Sequence, residues 1–162
     1  MTAGRARLAA IVRGVNLFLV GLLAGAMFLE YFIVAVLLAE LPAAQWVGLH
    51  ARFALIHPFT IIPLAVLATV SLVVVFVVER GADWVTRGAA VFFVAIVVLT
   101  AGVMMPVNDA IVGWTIDGIP DDWSSARDRW NVYQAIRASL SIVGFALLVT
   151  AALSRRDERI ST

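Results

Sequence analysis

The chain contains no cysteine and few charged residues. The lack of cysteine excludes disulfides, thiolate catalysis and cysteine-held iron–sulfur clusters. Only 14% of the 162 residues are charged, whereas a soluble domain carries about a quarter. The formal net charge is +1 and the basic residues form no long patch, so no nucleic-acid partner is expected. What is present is 62% hydrophobic, a composition that places the chain in a bilayer.

Four apolar stretches are long enough to cross a hydrocarbon core, which needs about 20 residues of helix. They run over 15–38, 53–78, 89–107 and 136–153. The first could instead be a cleaved signal peptide, since Ala24, Gly25 and Ala26 resemble a cleavage site. The apolar run continues well past Ala26, which favours a retained helix. We therefore predict a single transmembrane domain over 1–162, with its fourth helix beginning near residue 133.

The connections between these stretches predict an all-α, up-down four-helix bundle, because two of them are short and force antiparallel neighbours. The third connection, from 108 to 130, is longer and rich in polar and aromatic residues, so we predict an extended loop there that folds over one end of the bundle.

The distribution of arginine predicts the orientation. All twelve basic residues are arginine, and eight fall on the side shared by the termini and the second connection. The eight are Arg5, Arg7, Arg13, Arg80, Arg87, Arg155, Arg156 and Arg159. By the positive-inside rule, both termini of an integral cell-membrane protein would be cytoplasmic and the long loop extracytoplasmic.

Glu30 and His57 are polar residues inside apolar stretches, where an unpaired carboxylate would cost several kcal/mol. They lie about equally far from the first connection, so an antiparallel hairpin would bring them together as a hydrogen-bonded pair. Such a pair could fix the helix register, transfer a proton or contribute to a metal site. His50 lies seven residues before His57. That spacing is too long for both to bind one metal from a straight helix without further ligands.

The segment that enters the fourth stretch carries a second set of candidates. On a helix from about Ser124, four side chains fall on one face, and Asn131 flanks it. The four are Arg127, Trp130, Gln134 and Arg137. Guanidinium, amide and indole groups suit an anionic oxygen and a flat aromatic body. Interfacial anchoring by Trp123 and Trp130 is the alternative. Asn108, after Pro106, is either a helix-terminus cap or a cavity-lining residue.

The runs MMPVNDAIVGW and ARDRWNVYQAIRASLS together resemble the anthrone-oxygenase-like family of small integral membrane proteins. In that family a P-[IV]-N motif ends the third helix and an R-x-R-W-x-x-x-H-x-x-R motif opens the fourth. The matching positions are Asn108, Arg127, Trp130, Asn131 and Arg137. Gln134 stands where the family commonly has histidine. If that histidine is the base, Glu30, His50 or His57 would have to take its role here.

The resemblance implies a four-helix membrane protein that oxidises an anthrone with molecular oxygen and has no well-established cofactor. On this interpretation Glu30, His57 and Arg137 are the catalytic candidates. The substrate-binding candidates are Asn108, Arg127, Trp130, Asn131 and Gln134. The competing hypothesis is a non-catalytic membrane protein that binds a lipid or small molecule or supports a larger complex. Gly21 and Gly25 on the first helix would serve tight internal packing or a dimer face.

Overall fold

A computed structural model describes residues 3–79 and 83–160, without the side chains of residues 3, 116, 117 and 155–160. Arg80 and the side chains of Arg155, Arg156 and Arg159, four of the arginines behind the predicted orientation, lie outside this description. The described chain is helical and contains no strand. Its helices are α1 (Ala3–Glu30), α2 (Ala43–Ile56), α3 (Ile61–Glu79), α4 (Trp84–Leu99), α5 (Met105–Asp117) and α6 (Trp123–Ile160).

Four helical segments are long and apolar enough to cross a membrane, which confirms the predicted fold class. They are Gly4–Leu37, Ile61–Glu79, Trp84–Thr115 and Trp123–Ser154. Large apolar side chains are exposed along them, as a lipid-facing surface requires. At 1.5 Å per residue, the third segment is about 48 Å long and exceeds a hydrocarbon core of about 30 Å. One end of that helix therefore extends beyond the apolar layer.

Helix α6 packs against both α1 and α4, and α1 also packs against α3. The buried side chains between these helices form what we call the apolar core. Its members are Val20, Leu23, Met27, Ala68, Leu72, Ala89, Phe93, Ile96 and Leu148. Two glycines allow close approach here: an added Cβ at Gly21 would lie 3.0 Å from the Phe145 ring, and one at Gly144 would lie 3.1 Å from the Phe93 ring. Gly21 thus serves internal packing.

The second predicted stretch is divided in the structure. Helix α2 ends at Ile56, a 3₁₀ turn covers His57–Phe59, and α3 begins at Ile61. Pro58 explains the break, because it lacks the N–H donor that an α-helical hydrogen bond needs and its ring crowds the preceding turn. Pro63, by contrast, lies in the first turn of α3, where no backbone donor is needed. Pro63 therefore does not interrupt the helix.

The third connection is shorter than predicted. Helix α5 continues to Asp117, and only residues 118–122 separate it from α6. Gly118 ends α5 with a φ of 95°, a conformation that favours glycine. Asn108 is therefore an interior residue of α5, not a terminal cap. The long polar loop expected over 108–130 is instead helix on both sides of a five-residue turn.

Two π-helical segments occur within the membrane-length helices. Tyr31–Leu37 follows α1, and Thr100–Met104 joins α4 to α5. In both, the wider i→i+5 hydrogen bonding accommodates an extra residue, a feature frequent at functional sites. Helix α2 packs against α5. The buried side chains there form what we call the aromatic core: Val34, Trp46, Val47, Met104, Ile111 and Trp130.

Candidate functional site

Glu30 lies at the end of α1, where the helix widens into the π-helical segment. The Arg137 Nη2 atom donates a hydrogen bond of 3.1 Å to Glu30 Oε2. The His57 Nε2 atom lies 3.4 Å from Glu30 Oε1. The carboxylate side chain is only 8% exposed, so its charge needs these partners. Thus the predicted approach of Glu30 and His57 is present, and Arg137 completes a chain of three polar side chains.

A second polar chain connects α2, α5 and α6. The Trp130 Nε1 atom donates a hydrogen bond of 2.8 Å to Asn108 Oδ1. The same oxygen lies 3.1 Å from His50 Nε2. The His50 ring stacks on Trp46 at a centroid distance of 5.0 Å and meets the edge of Trp130 at 5.0 Å. Aromatic rings thus enclose His50 on two sides.

Burial affects the charge of His50, which lies in α2 outside the membrane-length segments. The side chain is buried, and this lowers the pKa of His50 from 6.5 to about 4. The hydrogen bond with Asn108 acts in the opposite direction, and the proximity of His57 lowers the pKa further. His50 is therefore a neutral imidazole at physiological pH.

The two polar chains face each other across one narrow cleft. Its lining residues are Glu30, Val34, His50, Phe53, Ala54, His57, Asn108 and Trp130. The space between their atoms is too narrow to hold a water-sized sphere. Small-molecule sites commonly measure about 300–1,000 Å³. A flat aromatic ligand would therefore enter only if these side chains moved apart.

The predicted inward face of α6 is present, with Trp130, Gln134 and Arg137 all buried. Gln134 is fully buried, and neither of its amide atoms has a hydrogen-bond partner within the described chain. The Nε atom of Arg137 and the Oδ1 atom of Asn131 are also buried and also lack a hydrogen-bond partner within the described chain. None of these three side chains is among the residues that line the cleft, and all three carry unused hydrogen-bonding capacity.

Arg127 is placed away from the cleft. Its Nη1 atom donates a hydrogen bond of 2.8 Å to the Ala39 carbonyl, beyond the π-helical end of α1. Its guanidinium also lies 5.0 Å from the Trp123 ring centroid. These contacts fit the interfacial and structural alternative better than substrate binding. Arg127 holds the start of α6 to the end of the first membrane-length segment.

Helix α2 forms a wall of the site that the sequence did not indicate. No motif in the sequence marks Trp46 as a site residue, and the sequence predicts His50 only as a base or metal ligand. Their spacing of four residues places both on one helix face, which would have been the available signal. Among the described residues, no three histidine, aspartate or glutamate side chains lie close enough to hold one metal ion.

The fold and the cleft together define a small helical membrane protein with a buried, mixed polar and aromatic site. Residues 51–147, more than half of the chain, match the family described as anthrone oxygenase. The chain belongs to this family, as its motifs indicated. No curated protein and no solved structure matches it. The matched range contains His57, Asn108, Trp130 and Arg137, whereas Glu30 and His50 lie outside it.

Proposed function

We propose that this protein is a membrane-embedded oxygenase-like enzyme that acts on a flat, hydrophobic, phenolic substrate of the anthrone type. The observation that carries the proposal is the convergence of Glu30, His50, His57, Asn108 and Trp130 on one cleft. Acid–base groups beside an aromatic wall suit proton removal from a planar ring system. Family membership supports the reaction class.

His57 is the base in this proposal. Both oxygens of Glu30 already face partners, Arg137 on one side and His57 on the other. A carboxylate that contacts a histidine orients its ring and stabilises the imidazolium formed when the ring takes a proton. Arg137 compensates the buried charge of Glu30 and so acts as a positioning residue. Glu30 and His57 then work as one unit.

The proposed reaction conserves atoms and electrons. His57 removes one proton from the acidic methylene of the anthrone, leaving a resonance-stabilised carbanion. Molecular oxygen adds to that carbon and is reduced, and protonation gives a hydroperoxide. Loss of water from the hydroperoxide leaves a ketone, so that the methylene and one O₂ become a carbonyl and one H₂O. Trp130 would stack on the ring, and the amide N–H groups of Asn108 would stabilise the anionic oxygen.

Turnover of an anthrone under oxygen by the purified protein tests this proposal. We expect His57→Gln to lower kcat by about 100-fold or more, the usual contribution of a general base. Arg137→Gln should also lower kcat, since it leaves Glu30 incompletely paired. Arg129→Gln is the matched control, because Arg129 lies on the same helix, is exposed and is absent from the cleft lining. Equal rates for His57→Gln and the control would exclude the proposed base.

A non-catalytic binding protein is the second candidate, and a specific observation favours it. The cleft is narrow, and the contacts of Glu30 and Asn108 are made within the protein itself. Such contacts could simply hold the helices together. Saturable binding of an anthrone without any oxygen consumption, in the wild type and in His57→Gln alike, would support this candidate.

A further inference from the structure

The two histidines that line the cleft have different partners. His57 faces the carboxylate of Glu30, whereas His50 faces the amide of Asn108. The His50 contact has an unusual feature, because the same Asn108 Oδ1 atom is also approached by the Trp130 indole. Trp130 and His50 are therefore connected through one atom, Asn108 Oδ1.

The indole of Trp130 determines the protonation pattern of this chain. An indole N–H can only donate a hydrogen bond, so the Asn108 atom at 2.8 Å from it must be the carbonyl oxygen and not the amide nitrogen. A carbonyl oxygen can only accept, so the His50 Nε2 atom at 3.1 Å must carry a hydrogen. A carbonyl oxygen has two lone pairs, enough for both donors. Trp130 thus selects the His50 tautomer through Asn108.

The remaining ring nitrogen of His50 is then an acceptor. Because burial keeps the ring neutral, its Nδ1 atom carries a free lone pair at physiological pH. A ring that takes up a proton only in acid is a poor base for a phenolic or carbon acid, since proton transfer to it is strongly uphill. It remains a good hydrogen-bond acceptor for a hydroxyl group. His57 contacts a carboxylate instead, which orients its ring.

We infer that Trp130 and Asn108 are positioning residues that hold His50 as the Nε2–H tautomer, so that its Nδ1 atom accepts a hydrogen bond from a substrate hydroxyl while His57 removes the proton. This inference rests on the proposed function for the identity of the substrate. The tautomer itself is independent of turnover. The cleft therefore divides two tasks between its histidines, orientation at His50 and proton transfer at His57.

Nitrogen NMR of the full chain, labelled with ¹⁵N-histidine, tests the tautomer directly. The protein contains only two histidines, so His57→Gln leaves His50 as the single signal. We expect one protonated and one unprotonated ring nitrogen, with the hydrogen on Nε2. A hydrogen on Nδ1 would overturn the inference.

Two variants test the positioning residues. Trp130→Phe removes the donor that orients the amide, so we expect the His50 hydrogen to be shared between both ring nitrogens. Asn108→Asp places a carboxylate oxygen, which can only accept a hydrogen bond, opposite His50. We therefore expect the Nε2–H form of His50 to persist. If Trp130→Phe leaves the tautomer unchanged in a folded protein, Trp130 does not position it. If Trp130→Phe does not fold, loss of the Nε2–H form in Asn108→Asp still contradicts the inference.

A pair of anthrones that differ in one hydroxyl tests the role of Nδ1. Binding is measured by quenching of tryptophan fluorescence, and turnover by oxygen uptake. We expect His50→Gln to reduce the affinity for the hydroxylated anthrone about tenfold more than the affinity for the anthrone without the hydroxyl. A tenfold change corresponds to the loss of one hydrogen bond. Equal weakening of both ligands would contradict the inference. Failure of wild-type turnover would instead contradict the proposed function and leave the NMR result standing.

Discussion

The two cores of this protein differ in what holds them together. The hydrophobic side chains of the apolar core between α1, α3, α4 and α6 are aliphatic, methionine and phenylalanine, and one buried polar contact, from Asn16 to Ser71, lies between α1 and α3. The aromatic core around α2 and α5 encloses His50 and the Asn108 side chain, beside the buried Glu30 and Arg137. In a lipid environment the first is stabilised by close packing, because lipid tails are as apolar as the side chains. The second depends in addition on hydrogen bonds and ion contacts between its buried polar groups.

This difference explains why we place the candidate site beside the aromatic core. A buried polar group costs free energy unless it is paired, and a buried charge costs more. The aromatic core carries that cost in the Glu30–Arg137 pair and in the unpaired amide of Gln134. Residues that weaken a fold in this way are typical of sites selected for binding or catalysis. Substitutions in the two cores should therefore have different consequences.

The largest effect is expected for Arg137→Leu. This change leaves Glu30 with His57 alone, and removing one partner of a buried ion pair costs about 3–5 kcal/mol. The measurement is the thermal midpoint in detergent. Ile96→Val in the apolar core is the reference variant, with an expected loss of stability of about 0.5–1.5 kcal/mol. The double variant Glu30→Gln, Arg137→Met should recover much of the loss, because no charge remains unpaired. A single variant as stable as the wild type would contradict this account of the pair.

The next effect is a dependence of stability on pH. Since burial lowers the pKa of His50 from 6.5 to about 4, the unfolded chain binds a proton in this range and the folded chain does not. The free energy of unfolding should therefore fall by about 3 kcal/mol as the pH decreases from 6.5 to 4, and remain level above 6.5. His50→Gln removes this component, so the difference between wild type and variant isolates it from the carboxylates. Parallel pH profiles would show that His50 titrates normally.

The apolar core should respond to volume instead of charge. An added methyl group at Gly144 would meet the buried Phe93 ring at 3.1 Å, whereas one at Gly25 would meet nothing within 4 Å. Both substitutions gain the same helix propensity, so their difference reports packing alone. We expect Gly144→Ala to be less stable than Gly25→Ala by about 1–3 kcal/mol. Equal thermal midpoints would mean that Phe93 moves aside without cost.

The smallest effect is expected for Gln134→Met, and its sign is the informative part. Methionine has a similar shape but no polar atoms, so it removes two buried, unpaired groups. We expect the thermal midpoint to stay level or rise, by an amount equivalent to about 1 kcal/mol. If Gln134 binds the substrate, as its motif position suggests, affinity for an anthrone should fall in the same variant. A large loss of stability would show that the amide has a structural partner.

Much of the fold could be predicted because it depends on periodic and compositional signals. The four membrane-length helices follow directly from apolar length. The inward face of α6 follows from helical spacing of Trp130, Gln134 and Arg137. The approach of Glu30 and His57 followed from counting residues to a turn. The family followed from two motifs and is confirmed by the match over 51–147.

Other features could not be predicted, because they depend on contacts between distant segments. Pro58 marks the end of α2, but nothing local in the sequence shows that α2 packs against α5 or that Asn108 lies within a helix. Proline usually ends or kinks a helix, but Pro106 lies in the first turn of α5, where its missing N–H costs little, and burial of Ile111 in the aromatic core stabilises the helix beyond it. Arg127 had the right spacing for the site, yet its length lets it reach the Ala39 carbonyl instead.

Hydrophobic length and short motifs are local properties, so the residues alone indicate a membrane protein with four membrane-length helices that belongs to the anthrone oxygenase family. Which polar residues meet depends on how the helices pack. Glu30 and Arg137 are separated by 107 residues in the sequence. Their contact exists because a buried charge must find a partner wherever the packing of the helices provides one. The same constraint, acting through Trp130 and Asn108, distinguishes His50 from His57.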